Sequence, residues 1–113
     1  MVISKVKAEH YIWGNGCDGW HYLKSDSLSV IREKMPPNTS EQKHRHNIAQ
    51  QFFYVLEGFA IFHFNNEVFS ITQGEGINIP QGTDHFISNR TDQELEFIVI
   101  SQPKSHGDRV NLG

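Results

Sequence analysis

The chain reads as an all-β protein, one small sandwich or barrel with few or no helices. Short runs of β-branched and aromatic residues recur between Gly, Pro and Asn punctuation, at strand spacing. No stretch holds a 3.6-residue apolar period for the length of a helix. The run from Gln51 to Glu57 is apolar on both alternating faces, the mark of a strand covered on both sides.

With 113 residues the chain makes one domain. It divides into an N-terminal arm (1–20), a barrel (about 21–102) and a tail (103–113). Val2 to Ala8 alternates weakly, as an edge strand or an arm towards a second subunit would. Trp13 to Trp20 holds three glycines and an Asn, a Cys and an Asp, and reads as a loop with a tryptophan at each end. Strands are expected at Trp20–Leu23 and Leu28–Met35, the second with Leu28, Val30, Arg32 and Lys34 on one face. Pro36 and Pro37 end it, since proline removes a ladder donor. Gln51–Glu57 is the strongest strand, with Gln51, Phe53 and Val55 on one face and Phe52, Tyr54 and Leu56 on the other. One cover is the core. The other is expected to be a second copy of the chain, making a homodimer. Phe59–Asn65 and Val68–Thr72 form a hairpin about Asn65-Asn66, followed by Ile77–Ile79, Phe86–Ser88 and Glu94–Ser101. The polar tail from Pro103 is expected along the surface.

Composition narrows the partners. The net charge is −3 with signs interspersed, so neither nucleic acid nor an anionic membrane is an expected partner. No apolar run approaches the ~20 residues of a spanning helix, and no signal peptide is visible. The single cysteine, Cys17, fits a reducing compartment, and a cytoplasmic location is the expectation.

The chemistry concentrates in three histidines. His44 and His46 are one residue apart before the strongest strand, so on an extended backbone they point the same way. His85 follows the Pro80-Gln81-Gly82 turn. Three imidazoles from two strand edges outline a metal site. His10, His21, His63 and His106 have no such company and read as surface or core histidines.

These residues resemble the cupins, whose motifs are G-x5-H-x-H-x3–4-E-x6-G and G-x5-P-x-G-x2-H-x3-N. Gly74, Pro80, Gly82, His85 and Asn89 match every fixed position of the second. His44, His46 and Gly58 match the first, but Gln51 stands where the family has glutamate, and Asn38 replaces the leading glycine. The short stretch between the motifs is similar to that of small microbial single-domain cupins. The resemblance implies a single-domain jelly-roll β-barrel holding a divalent ion (Mn, Fe, Ni or Zn) through His44, His46, His85 and Gln51. It implies that Asn89 satisfies backbone groups in a turn. Glutamine contributes a neutral carbonyl oxygen, so such an ion keeps its full charge, which suits an anionic substrate. Phe53, Val55 and Phe86 are the expected pocket lining, with Trp13 and Trp20 either closing its mouth or packed in the core or an interface.

Two functions follow from this reading. One is a metal-dependent enzyme on a small organic molecule, of oxygenase or isomerase type. The other is a non-catalytic barrel that binds or senses a small ligand, with a structural or vestigial metal site. The sequence names no general base, because the motif glutamate is absent.

Overall fold

A computed structural model describes residues 1–113. Twelve strands run in order: β1 (Glu9–Trp13), β2 (Cys17–Lys24), β3 (Ser29–Met35), β4 (Thr39–Ser40), β5 (His44–His46), β6 (Gln50–Glu57), β7 (Phe59–His63), β8 (Val68–Thr72), β9 (Gly76–Ile79), β10 (Phe86–Asn89), β11 (Leu95–Gln102) and β12 (Arg109–Asn111). There is no helix, as expected. The strands form antiparallel sheets in the orders β1-β2-β3-β11-β6-β9, β4-β10-β7-β8 and β12-β5. The wall is therefore three sheets around one core, and no continuous hydrogen-bonded ladder closes it into a barrel.

Alternation builds the core. On β6 the inward residues Gln51, Phe53 and Val55 are buried, while Phe52 and Tyr54 are 40% and 41% exposed. β11 supplies Leu95, Phe97 and Val99, and β7 and β10 supply Ala60, Phe62 and Ile87 from the opposite sheet. The rings of Phe53 and Phe62, 5.0 Å apart, tie the two sheets together. On β3 the inward face is Ile31, Glu33 and Met35, leaving Val30, Arg32 and Lys34 on the outer face as expected.

Two positions of the first motif, Gly58 and Asn38, have a geometric explanation. Gly58, at φ +91°, would place a Cβ 2.6 Å from the Glu94 carbonyl oxygen, which leaves no room for a side chain. Asn38, where the motif begins with glycine, adopts φ +57°, a conformation that Asn tolerates better than most residues. Asn89 donates to the carbonyls of Met35 and Gln93 and accepts from Thr91, so it pins a turn as expected.

Three expectations change. Val2–Ala8 forms no strand; turns occupy it and β1 begins at Glu9. The glycine-rich stretch is a tight hairpin, with Trp13 ending β1 and Cys17 opening β2. Gly14 and Gly16 adopt positive φ at its tip, which is all the turn needs. The tail does not simply coat the surface. Its β12 pairs with β5, Arg109 opposite His46 and Asn111 opposite His44. The Asp108 carboxylate accepts the amide hydrogens of Ile48 and Ala49 at 3.0 and 2.9 Å, anchoring the loop that leads into β6.

Candidate metal centre

His44 and His85 exchange both backbone hydrogen bonds across an isolated antiparallel bridge, at 3.0 and 2.9 Å. Residues paired this way point to the same side, and their rings lie 4.4 Å apart between centroids. His46 shares the face of His44, with the rings 5.1 Å apart. All three are buried. Burial lowers the pKa of each, to about 3 for His44 and about 4 for His46, so at neutral pH they are uncharged, the form that binds a metal.

The hydrogen bonds around the rings free one nitrogen on each. His44 Nδ1 lies 2.8 Å from the Gln42 carbonyl and His85 Nδ1 lies 2.8 Å from that of Thr83. A carbonyl accepts only, so each Nδ1 carries the hydrogen and each Nε2 a lone pair. Gln51 is held likewise: its Nε2 donates to Ser101 Oγ at 3.0 Å, turning the amide oxygen the other way. His85 Nε2, His46 Nδ1 and Gln51 Oε1 are all buried without a hydrogen-bond partner. Three orphaned polar atoms on the expected ligand residues fit a metal cation, which satisfies lone pairs without donating a hydrogen. Gln50 points outward to Gln102 and plays no part.

The possible ligands that the fold brings closest together include Glu41, which sequence reading did not find, and leave out His46, whose ring centroid is 6.3 Å from that of His85. Ligand atoms of Glu41, His44 and His85 lie within 4.8 Å of one another. Glu41 approaches His44 at Nδ1, at 3.9 Å, the nitrogen facing Gln42. Its Oε1 accepts the Ile87 amide hydrogen at 3.1 Å. Burial pushes its pKa up to about 8, against the opposing pull of Arg109.

A cavity of about 220 Å³ opens beside these residues. Phe53 and Trp13 line it. The other expected lining residues lie elsewhere. Val55, two residues further along β6, is 1% exposed in the core. Phe86 falls on the opposite parity from His85 and stacks on His63, ring centroids 4.1 Å apart. Trp20 is on the outer face of β2, against His10 and under the Lys5 ammonium.

In their place the cavity has Tyr11, Glu33, His106 and Arg109. Tyr11, Gly19 and Glu33 are consecutive cross-strand partners on β1, β2 and β3. The missing side chain at Gly19 lets the Tyr11 ring lie across β2, where an added Cβ would sit 2.2 Å from the ring. Tyr11 thereby reaches over Gly19 and donates to Glu33 Oε2 at 2.9 Å. Burial raises the Glu33 pKa to about 7, opposed by that hydrogen bond and by Arg109. The same burial, with the neighbouring carboxyl, holds the Tyr11 hydroxyl well above its ordinary value. The signal for Glu33 was present in the sequence: an acid between Ile31 and Met35 on the inward face of β3. His106, read as a surface or core histidine, stands in the cavity wall.

The Cupin domain model matches residues 31–101. An oxalate-binding protein of Thermotoga maritima is 32% identical over 85 residues, 71% of this chain and 70% of its own length. An uncharacterised protein of Methanocaldococcus jannaschii is 30% identical over 105 residues, 77% of this chain and 83% of its own. Among solved structures, the polyketide cyclase RemF from Streptomyces resistomycificus superposes with a TM-score of 0.86 at 19% identity, covering 100% of this chain and 85% of that one. The nucleoside dehydratase Pac13 superposes with a TM-score of 0.80 at 18% identity, covering 99% and 90%. No helix is long and apolar enough to cross a membrane. The family match includes His44, His46, Gln51 and His85 and covers more than half of the chain, and the chain belongs to the cupin family.

Proposed function

We propose that the protein is a metal-dependent enzyme that moves a proton on a small anionic organic molecule, a reaction of isomerase type. Glu33 carries this reading. It is a carboxyl of near-neutral pKa in the cavity that also holds His44, His46 and Gln51. His44, His46, His85 and Gln51 are the proposed ligands of a divalent ion. The affinity order of such ions does not choose among Mn, Fe, Ni and Zn. When bound, the ion supplies Lewis acidity towards a substrate carbonyl or carboxylate oxygen.

The chain's own groups then divide the work. Tyr11 holds Glu33 Oε2, leaving Oε1 as the atom that takes a proton from substrate carbon and returns it. A pKa of about 7 keeps acid and base forms available near neutrality, the condition for general acid–base catalysis. A divalent ion nearby draws that value lower. Tyr11 stays protonated and orients the carboxyl, while Trp13, Phe53 and Val99 keep the cavity partly apolar. A polyketide cyclase and a nucleoside dehydratase share the fold, so the fold is one that carries enzymes. The relative that is an oxalate-binding protein supports a second reading, binding without turnover.

The test is solvent exchange. Protein stripped of metal and reloaded with each ion is incubated in D2O with 2-keto and 2-hydroxy acids, and loss of substrate C–H signals is followed by NMR. Metal-dependent exchange is expected, falling by about 100-fold or more in Glu33→Gln with metal content intact. Ligand-induced thermal shifts with no exchange under any metal would replace this reading with the binding one. Oxygen uptake would replace it with the oxygenase.

A further inference from the structure

Arg109 is the only lysine or arginine side chain in the wall of the metal-side cavity. It comes from β12, directly opposite His46 in the β5–β12 ladder, so it emerges on the same face as that histidine. Its guanidinium is fixed at two of its three nitrogens. Nε donates to Asn111 Oδ1 at 2.8 Å and Nη2 to the Gln42 carbonyl at 3.2 Å. Nη1 has no hydrogen-bonded partner; the nearest acidic oxygen, Glu41 Oε2, is 3.8 Å away, beyond hydrogen-bonding range. An arginine serving only to neutralise Glu41 would be expected to close that gap into a paired fork. This one is held short of its acid, with donors already oriented. Burial is the largest influence on Glu33, Glu41 and the three histidines, and the positive charge of Arg109 acts on each of them after it. Trp13, Phe53 and Val99 offer apolar wall for the rest of a ligand.

We propose that Arg109 is a specificity-determining residue that receives the carboxylate of the substrate beside the metal centre, so that the cavity selects small carboxylic acids over their uncharged counterparts. The inference rests on the functional reading above for the existence of a substrate, but its test reads binding alone. Guanidinium is suited to the task because its planar fork matches a carboxylate, which lysine's point charge does not.

The experiment measures affinities of the zinc-loaded full chain for oxalate and pyruvate and for the matched amides oxamide and pyruvamide, by calorimetry. The wild type is expected to prefer the carboxylates. Arg109→Gln should weaken them by about tenfold or more while changing the amides less than about twofold, and Arg109→Lys should recover part of the loss. Circular dichroism and zinc content establish that the variants fold and load. Independently of any variant, the Arg109 Nε–H resonance of 15N-labelled wild type should move on adding oxalate and stay put with oxamide. Carboxylate affinity unchanged in Arg109→Gln, or an Arg109 resonance indifferent to oxalate, would overturn the proposal and leave the metal alone as the anion's anchor. Arg109-dependent binding with no deuterium exchange would sustain it while defeating the proton-transfer reading.

Discussion

At the scale of single residues, the cavity depends on an absence. Gly19 is the gap over which Tyr11 reaches Glu33, and an added methyl group would occupy the position of the tyrosine ring. The ring is the far end of a movable side chain, so Gly19→Ala should cost little stability, within about 1 kcal/mol. Its effect should fall on Glu33. Losing the Tyr11 hydrogen bond removes an interaction that holds the carboxyl down, so its midpoint, about 7 in metal-free protein, should rise in Gly19→Ala and in Tyr11→Phe alike. Carboxyl 13C shifts followed across pH measure this directly, and an unmoved midpoint in Gly19→Ala would break the link between the two residues. Gln51 makes the opposite experiment. Gln51→Glu places a buried carboxylate beside three imidazoles, lowering the stability of metal-free protein while tightening metal binding. A gain on the order of tenfold, ~1.4 kcal/mol, in chelator competition is the expected size.

At the scale of elements, the unforeseen feature is β12. The strands between Gln51 and Ser101 were legible because alternation and turn residues mark them locally. His44, His46 and His85 were legible because their spacing is fixed by a two-residue alternation and a Pro-Gly turn. Arg109, Tyr11 and Glu41 were not, because what brings each to the cavity is pairing or packing with distant segments. The pairing of Arg109 with His46 spans most of the barrel, and no local pattern encodes it. Glu33 lies between these cases: its parity marked it as inward, but only the partner reaching over Gly19 shows its use. Deleting residues 103–113 is expected to unpair β5, remove the Asp108 anchor on Ile48 and Ala49, and leave His46 poorly held. Zinc affinity should fall by roughly 10- to 100-fold, the effect typical of losing groups that orient ligands, while the β-sheet circular dichroism signal persists. Retained affinity in the truncated protein would show that β5 needs no partner.

At the scale of the whole molecule, two opposing sets of buried groups shape the response to pH. His44 and His46 have folded pKa values depressed from 6.5, so their stabilising contribution is present above pH 6.5 and lost as pH falls through about 4 and 3. Glu33 and Glu41 have values raised from 4.5, so theirs is present below pH 4.5 and lost as pH rises through about 7 and 8. Metal-free protein should therefore be most stable between pH 4.5 and 6.5 and weaken on both sides, as urea midpoints across pH will report. Excess zinc should oppose the alkaline loss, since a cation beside Glu33 and Glu41 favours their charged forms and binding stabilises the folded state. Stability of the stripped protein that keeps climbing to pH 9 would contradict the raised carboxyl values.

The outer face of the large sheet raises a separate question of assembly. Phe52 and Tyr54 are exposed on β6, near half-buried Ile98 and Ile100 on β11, while the inward side of both strands is core. We propose that a second copy of the chain covers this face. Tyr54→Glu should then shift sedimentation equilibrium from dimer to monomer, and a wild type that sediments as a monomer at micromolar concentration would dismiss the idea.

The pairing of β12 with β5 also sets a schedule for biosynthesis. The segments that build the core, through residue 101, emerge from the ribosome before the strand that braces His46. A nascent chain can thus collapse around Phe53, Phe62 and Phe97 while one side of its histidine strand is still unpaired. At the metal site proposed above, secure capture of an ion would then be a late event, following release of residue 111 from the exit tunnel. A ribosome stalled before that point would display a folded core whose proposed metal site holds an ion loosely.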